Sequence, residues 1–343
     1  MGNFITSIKV NHIFHLENFC IPISENEKKH LIITGKNGSG KTILLNAIVE
    51  HLSKVCNDKM LSFLDFKKYL ESNQAWLQQA ETTGDSKSIA SGQNNVEYYK
   101  NRIEEFYGKV ELSFHDIYSI PKDFLSQDFI IAYYADERKS LFVEPKNPVK
   151  PDLKMKTDLK HNKVDQFLNF MVDCKVQEAL ARNEGKTEDA DYIRQWFVGF
   201  RNILRQIFDD TTLELDFNYK DYSFLIQTRG KSFKFTELSA GYSAALDIVA
   251  DLILKMQSQN NVVRAYEKEG IVLIDEIETH LHLELQRVIL PILTTIFPNI
   301  QFVVTTHSPF ILNSLENAVA FDLEQLLPAR ITLNIIKIEL KNF

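Results

Sequence analysis

Gly35-Lys36-Asn37-Gly38-Ser39-Gly40-Lys41-Thr42 marks the point where the chain changes periodicity. Leu31-Ile32-Ile33 before it is wholly apolar, as a strand covered on both faces would be. Leu44, Leu45, Ile48, Val49 and Leu52 after it recur at helical spacing. The octet fulfils GxxxxGK[ST] between that strand and that helix, the context in which the pattern carries a mechanism. Gly35, Gly38 and Gly40 let the backbone turn closely, so that the N–H groups of Asn37, Ser39 and their neighbours can point inward at phosphates. Lys41 is expected to bridge the β- and γ-phosphates of a bound nucleotide, and Thr42 to offer its hydroxyl to Mg²⁺.

A second apolar run, Ile271-Val272-Leu273-Ile274, ends in Asp275-Glu276. On a parallel sheet this places both carboxylates at the strand's C-terminal edge, beside the first loop. Asp275 is expected to hold Mg²⁺ through water. Glu276 is expected to aim and deprotonate the attacking water, because metal-assisted phosphoryl transfer needs an in-line nucleophile.

Two further stretches give the pattern a family likeness. Leu238-Ser239-Ala240-Gly241-Tyr242 opens an amphipathic helix, and Gln301 to Thr306 forms a strand that ends at His307. In this order, and with the P-loop and acid pair, they resemble the ATPases of the ABC type, over residues 1–56 and 210–325. The resemblance implies that Ser239 and Gly241 of one subunit cap the γ-phosphate of ATP held by another. It also implies that His307 senses that phosphate, a role suited to a side chain titrating near neutrality, and that Thr279-His280-Leu281-His282 crosses the dimer seam. His280 and His282 have no third partner in the sequence that would make them a metal site. One departure stands out. The family usually places a Gln at the end of the strand that here reads Ile130 to Arg138, where none occurs and Gln127 precedes the strand. Asp136 or Glu137 is left to contact Mg²⁺, and Arg138 to read phosphate or a partner.

The expected architecture is therefore α/β: an ABC-ATPase head with a RecA-like, mainly parallel core sheet, an N-terminal antiparallel sheet and an inserted helical lobe. Residues 1–56, 108–140 and 210–343 form the nucleotide-binding core in this reading. Residues 57–107 and 141–209 form the lobe, with Glu81 to Asn95 as a mobile loop and Glu144 to Lys163 without regular structure. Val164, Phe167, Leu168 and Met171 share one helix face, and Ile193, Trp196, Phe197, Phe200, Leu204 and Ile207 another. These faces serve either the lobe's own core or a partner surface. A short final strand is expected over Ile331 to Leu340.

Composition narrows the setting. A chain of 343 residues with 44% hydrophobic content is globular, and its net charge of −7 opposes a whole-molecule basic surface. Lys146, Lys150, Lys154, Lys156, Lys160 and Lys163 locally reverse that balance, as a solvated loop or as a contact to nucleic-acid phosphates. Cys20, Cys56 and Cys174 are widely spaced, which fits a reducing cytoplasm. The start, MGNFIT, matches a loose myristoylation pattern but reads better as a strand. No signal-peptide layout or apolar run long enough to span a membrane is present.

The long separation of P-loop from signature argues against a compact transporter subunit. LSAGY, DEIETHLH and TTHSPFILNSLENAVAFDLE resemble instead the RecF, OLD and Septu-type (PtuA-like) AAA-family ATPases, many of them from bacterial anti-phage defence systems. The resemblance implies an ATP- and Mg²⁺-dependent, partner-regulated ATPase acting as a homodimer around sandwiched ATP. Neither a Glu followed by a DxD trio nor a His/Asn/His cluster is evident, so a nuclease or toxin effector is expected on a separate polypeptide. A RecF- or SMC-like DNA repair ATPase and the nucleotide-binding subunit of a transporter remain the alternatives.

Overall fold

The computed structural model describes residues 2–57, 61–138, 142–151, 158–257 and 266–329. The strand expected over Ile331 to Leu340, and Lys154 and Lys156 of the basic segment, lie outside them. In chain order the elements are β1 (Ile5–Ile13), β2 (Leu16–Pro22), β3 (His30–Thr34), α1 (Lys41–Asn57), α2 (Phe66–Thr83), α3 (Ser86–Tyr107), β4 (Val110–Phe114), α4 (Ile120–Leu125) and β5 (Phe129–Tyr134). They continue with α5 (Phe167–Asn183), α6 (Thr187–Ile207), β6 (Glu214–Asn218), β7 (Ser223–Thr228), β8 (Lys231–Lys234), α7 (Ala240–Met256) and β9 (Glu269–Ile274). The last are α8 (Leu283–Ile296), β10 (Ile300–Thr305), α9 (Pro309–Leu312), β11 (Ala318–Asp322) and β12 (Leu327–Pro328).

The apolar strands pair as their two-sided hydrophobicity demands. The central sheet has the order β12-β11-β3-β10-β9-β5, parallel throughout except for β12. Successive residues of each strand enter opposite cores. Ile32, Ile130, Val272, Ile274 and Val304 join one with α5 to α8, while Leu31, Ile33, Ile131, Leu273 and Val303 join the other with α1 and the N-terminal sheet. That N-terminal sheet, β2-β1-β4, is antiparallel, as is the separate sheet β6-β7-β8.

Gln301, fully buried on β10, fastens the N-terminal sheet to the central one. Its Oε1 accepts from the Ile5 N–H at 2.8 Å, and its Nε2 donates to the carbonyls of Ile5 at 2.9 Å and Lys29 at 2.8 Å. An apolar replacement would orphan those groups, at roughly 1–3 kcal/mol each.

The mobile loop expected over Glu81 to Asn95 is not present; α2 and α3 run through it. Gly84 ends α2 in the left-handed region at φ 72, and its N–H donates to the Ala80 carbonyl at 3.0 Å. Asp85 then caps α3, accepting from the Lys87 N–H at 3.2 Å and the Ser88 hydroxyl at 2.6 Å. Polar residues here face water on a helical hairpin. The aromatic faces of α5 and α6 are spent inside the chain: Trp196 stacks on Phe200 with centroids 5.5 Å apart, and both share a core with α7 and α8. Within the basic segment Lys163 is buried, with its N–H bonded to the Asp251 carboxylate, so it does not belong to a solvated lysine run. No helix among the described residues is long and apolar enough to cross a membrane.

Candidate functional site

The strand order decides which loops meet. β10 lies between β3 and β9, and β5 flanks β9, so the loops leaving the C-terminal ends of all four converge at one edge. The octet leaves β3 and runs into α1, whose Leu44 N–H bonds the Gly40 carbonyl at 2.8 Å. Gly40 has φ 96, and a Cβ there would lie 2.9 Å from Leu16 Cδ1. The position excludes side chains by conformation and by space.

Lys41 is buried, and its Nζ donates to the carbonyls of Gly35 at 3.0 Å and Lys36 at 3.2 Å. It also lies 2.7 Å from Nε2 of His307, which follows β10. Accepting from Lys41 requires a neutral imidazole with its proton on Nδ1. Burial pulls the Lys41 ammonium below its ordinary proton affinity, opposed by the carboxylates of Glu276, Glu278, Asp275 and Glu324. Ser39 has a buried hydroxyl with no hydrogen-bond partner, while Asn37, Gly38 and Thr42 are exposed. Asn37, Gly38 and Ser39 line a cleft of about 470 Å³ together with His15 and Glu324.

Asp275 is fully buried at the end of β9. Its N–H bonds the Tyr134 carbonyl of β5 at 2.8 Å, and its Oδ1 accepts from the Thr305 hydroxyl of β10 at 2.5 Å. Oδ2 is buried with no hydrogen-bond partner. A carboxylate oxygen out of water is costly unless a cation or donor meets it, so this atom fits a Mg²⁺ site. Among the described residues no group of three or more His, Cys, Asp or Glu could hold a metal. Such an ion would therefore depend on Asp275, the Thr42 hydroxyl, phosphate oxygens and water.

Glu276 takes φ 41, its N–H bonds the Thr305 hydroxyl at 2.8 Å, and its Oε1 lies 3.7 Å from Nε2 of His307. Lys41, Asp275, Glu276 and His307 are thus assembled within one chain. Ser239 and Gly241 are placed elsewhere. Ser239 is the exposed residue before α7 and makes no side-chain capping bond, and among the described residues no hydrogen bond joins either to the P-loop. Gly241 sits against the turn after β9, where an added Cβ would lie 2.8 Å from the His280 carbonyl oxygen. His282 is the helix cap of α8, its Nδ1 accepting from the Leu285 N–H at 3.2 Å.

The strand end that lacks Gln carries Tyr133 and Tyr134 instead. Burial, then the charges of Asp275 and Asp136, push the Tyr133 hydroxyl up to about 12, and a hydrogen bond with Asn46 of α1 partly opposes them. Asp136 is exposed and caps the Glu137 N–H at 2.8 Å. Arg138, expected to read phosphate or a partner, turns onto the chain's own backbone: its Nη2 donates to the carbonyls of Glu276 at 2.9 Å and Ile277 at 3.2 Å. Thr305 and Glu278 were not singled out by the sequence. Their signal is only their adjacency to His307 and Glu276.

Comparison with known proteins gives four findings. The family model described as "AAA domain, putative AbiEii toxin, Type IV TA system" matches residues 93–313, which include LSAGY, the acid pair and His307. Septu protein PtuA of Bacillus mycoides (strain KBAB4) is 26% identical over 324 residues, covering 91% of this chain and 39% of that protein. The Retron Ec83 probable ATPase of Escherichia coli is 38% identical over 94 residues, 27% of this chain and 17% of that one, so the chain spans well under half of either relative's length. A solved SMC head bound to the C-winged helix domain of ScpA superposes with a TM-score of 0.47 at 13% identity, over 92% of this chain and 93% of that one. Matched by its model over more than half of its length, the chain belongs to this AAA-domain family.

Proposed function

We propose that this chain binds and hydrolyses ATP with Mg²⁺ as a cytoplasmic head-to-tail homodimer, and that closure of the dimer governs a separate nuclease or toxin effector in bacterial anti-phage defence. The observation that carries the catalytic part is the meeting of Lys41, Glu276 and His307 beside the uncompensated Oδ2 of Asp275. Residues 57–107 and 141–209 act as the helical lobe in this reading. The defence setting rests on likeness to longer Septu and retron proteins.

Each residue has a task that its position permits. The P-loop N–H groups hold the phosphates, and Lys41 exchanges its backbone partners for phosphate oxygens. Mg²⁺, held by Thr42 and Asp275, supplies charge neutralisation on the phosphates. Glu276, half-exposed at the rim, takes a proton from water aimed at the γ-phosphorus. His307 reads the γ-phosphate once Lys41 has turned to it. Ser239, exposed and making no side-chain capping bond, and the N-terminus of α7 donate across the seam to ATP held by the second copy.

Two variants test the assignment against wild-type turnover. Lys41→Ala is expected to lose ATP binding, whereas Glu276→Gln keeps binding and loses hydrolysis by a factor on the order of 10²–10⁴, the usual contribution of a general base. Unchanged turnover in Glu276→Gln would remove that residue from the mechanism.

A further inference from the structure

The turn from Glu276 to Thr279 joins β9 to α8 and is gripped from two sides. From beneath, one nitrogen of Arg138, Nη2, serves the carbonyls of Glu276 at 2.9 Å, Ile277 at 3.2 Å and Thr279 at 3.5 Å. From above, the Glu278 carboxylate accepts the Thr306 hydroxyl at 2.7 Å and the backbone N–H of His307. Glu276 itself sits at φ 41. A non-glycine residue holds such a conformation only where its surroundings over-determine it.

We infer that Arg138 and Glu278 are a pair of positioning residues. Arg138 fixes the backbone of the turn and hence the direction of the Glu276 side chain, and Glu278, carried by the same turn, sets where His307 stands. Arg138 has the right build for this. A guanidinium remains charged and projects its donors from a rigid plane, which aims Nη2 at the three carbonyls while Nε and Nη1 are left without a partner; a lysine ammonium on its flexible stem would be aimed less firmly. Burial lowers the proton affinity of the guanidinium, and the carboxylate that opposes this most is Asp247 of α7. Arg138 and Asp247 line one cleft, so the clamp faces the helix that begins at the signature, and His280, the residue after the turn, presents its carbonyl to Gly241 of that helix. The inference rests on the proposed roles of Glu276 and His307, but the order of the turn can be measured apart from them.

The test uses Arg138→Met, Arg138→Lys and Glu278→Gln, read by hydrogen exchange of the 276–282 amides, by affinity for a fluorescent ATP analogue, and by kcat and KM. Arg138→Met is expected to speed exchange in that turn at least about tenfold. Analogue affinity should stay within about threefold of wild type while kcat falls about 100-fold, the scale of a misplaced reacting group. Arg138→Lys should recover part of both losses. Glu278→Gln should lower kcat with little change in KM. The double variant Arg138→Met/Glu278→Gln should fall less than the product of the single effects, because both act through one turn. Unchanged exchange and kcat in Arg138→Met overturn the inference, as does analogue binding that collapses in step with kcat. Should Arg138→Met not fold, Arg138→Lys decides by the same exchange and kcat-against-KM readings. A wild type without ATPase activity would refute the proposed function, and the exchange arm would still decide whether Arg138 orders the turn.

Discussion

Thr305→Val removes one hydroxyl from the end of β10 and leaves the volume and the β-branched shape almost unchanged. In the folded protein that hydroxyl donates to Asp275 Oδ1 at 2.5 Å and accepts from the Glu276 N–H at 2.8 Å, at a residue with no solvent exposure. Valine would leave the Asp275 carboxylate without the hydroxyl that donates to Oδ1 and the Glu276 N–H without an acceptor. A lost hydrogen bond to a charged group is worth roughly 1.5–3 kcal/mol, and an orphaned buried donor about 1–3 kcal/mol more. The added methyl returns about 0.8 kcal/mol, so the net loss of stability is roughly 3 kcal/mol. Mg²⁺ and ATP should shrink the deficit, since a cation at Asp275 would meet part of what the hydroxyl supplied. Urea unfolding with and without the nucleotide measures both values, and a Mg²⁺ titration of hydrolysis should show about a 10–100-fold loss of metal affinity, as for other residues that orient a ligand. Thr305→Ser, which keeps the hydroxyl, is the control. A valine variant that matches wild type in both unfolding midpoint and Mg²⁺ dependence would refute the claim that Thr305 orders the acid pair.

Two other outcomes follow. Lys41→Ala and Ser239→Arg chains, each inactive alone, should regain ATPase activity when mixed, because one of the two composite sites of a mixed dimer keeps both Lys41 and Ser239; a mixture that stays inactive with both chains folded speaks against the head-to-tail dimer. His30 and His51 are pushed down to about 4, chiefly by burial, so the unfolded chain binds more protons between that value and the ordinary 6.5. Stability should fall as pH drops through this window, by up to about 3 kcal/mol for each, and His51→Gln should flatten the slope seen in pH-dependent urea unfolding.

Motifs that occupy one stretch of chain were legible in the sequence, because their chemistry is local. The octet lies between an apolar strand and a helix, and Asp275-Glu276 ends a strand, so periodicity alone places them. Contacts between different loops were not legible. Thr305 meets Asp275, Glu278 meets His307 and Arg138 meets Ile277 only because β10, β9 and β5 are neighbours in the sheet. Nothing in the local pattern around any of these residues names its partner. The hairpin of α2 and α3 was missed for the converse reason. Its polar composition resembles a loop, while its order comes from Gly84 and Asp85 at the turn and from packing of one helix on the other.

The missing Gln shows how strand order can replace a side chain. Tyr134 ends β5, and its backbone carbonyl accepts from the Asp275 N–H while its hydroxyl donates to Asp251 of α7 at 2.6 Å. Asp251 is fully buried and also bonds Lys255 and the Lys163 N–H, so loss of the Tyr134 hydroxyl would remove one of three partners of a buried carboxylate. One residue therefore joins the acid at the end of β9 to α7, the helix that starts at Ala240. Tyr134 and Arg138 bond the backbone of Asp275 and Glu276, so a Mg²⁺ at Asp275 would take its other ligands from phosphate and water. α7 is thereby bonded to the strand end beside the acid pair through Tyr134, and its first turn packs on the turn after β9 through Gly241 against the His280 carbonyl.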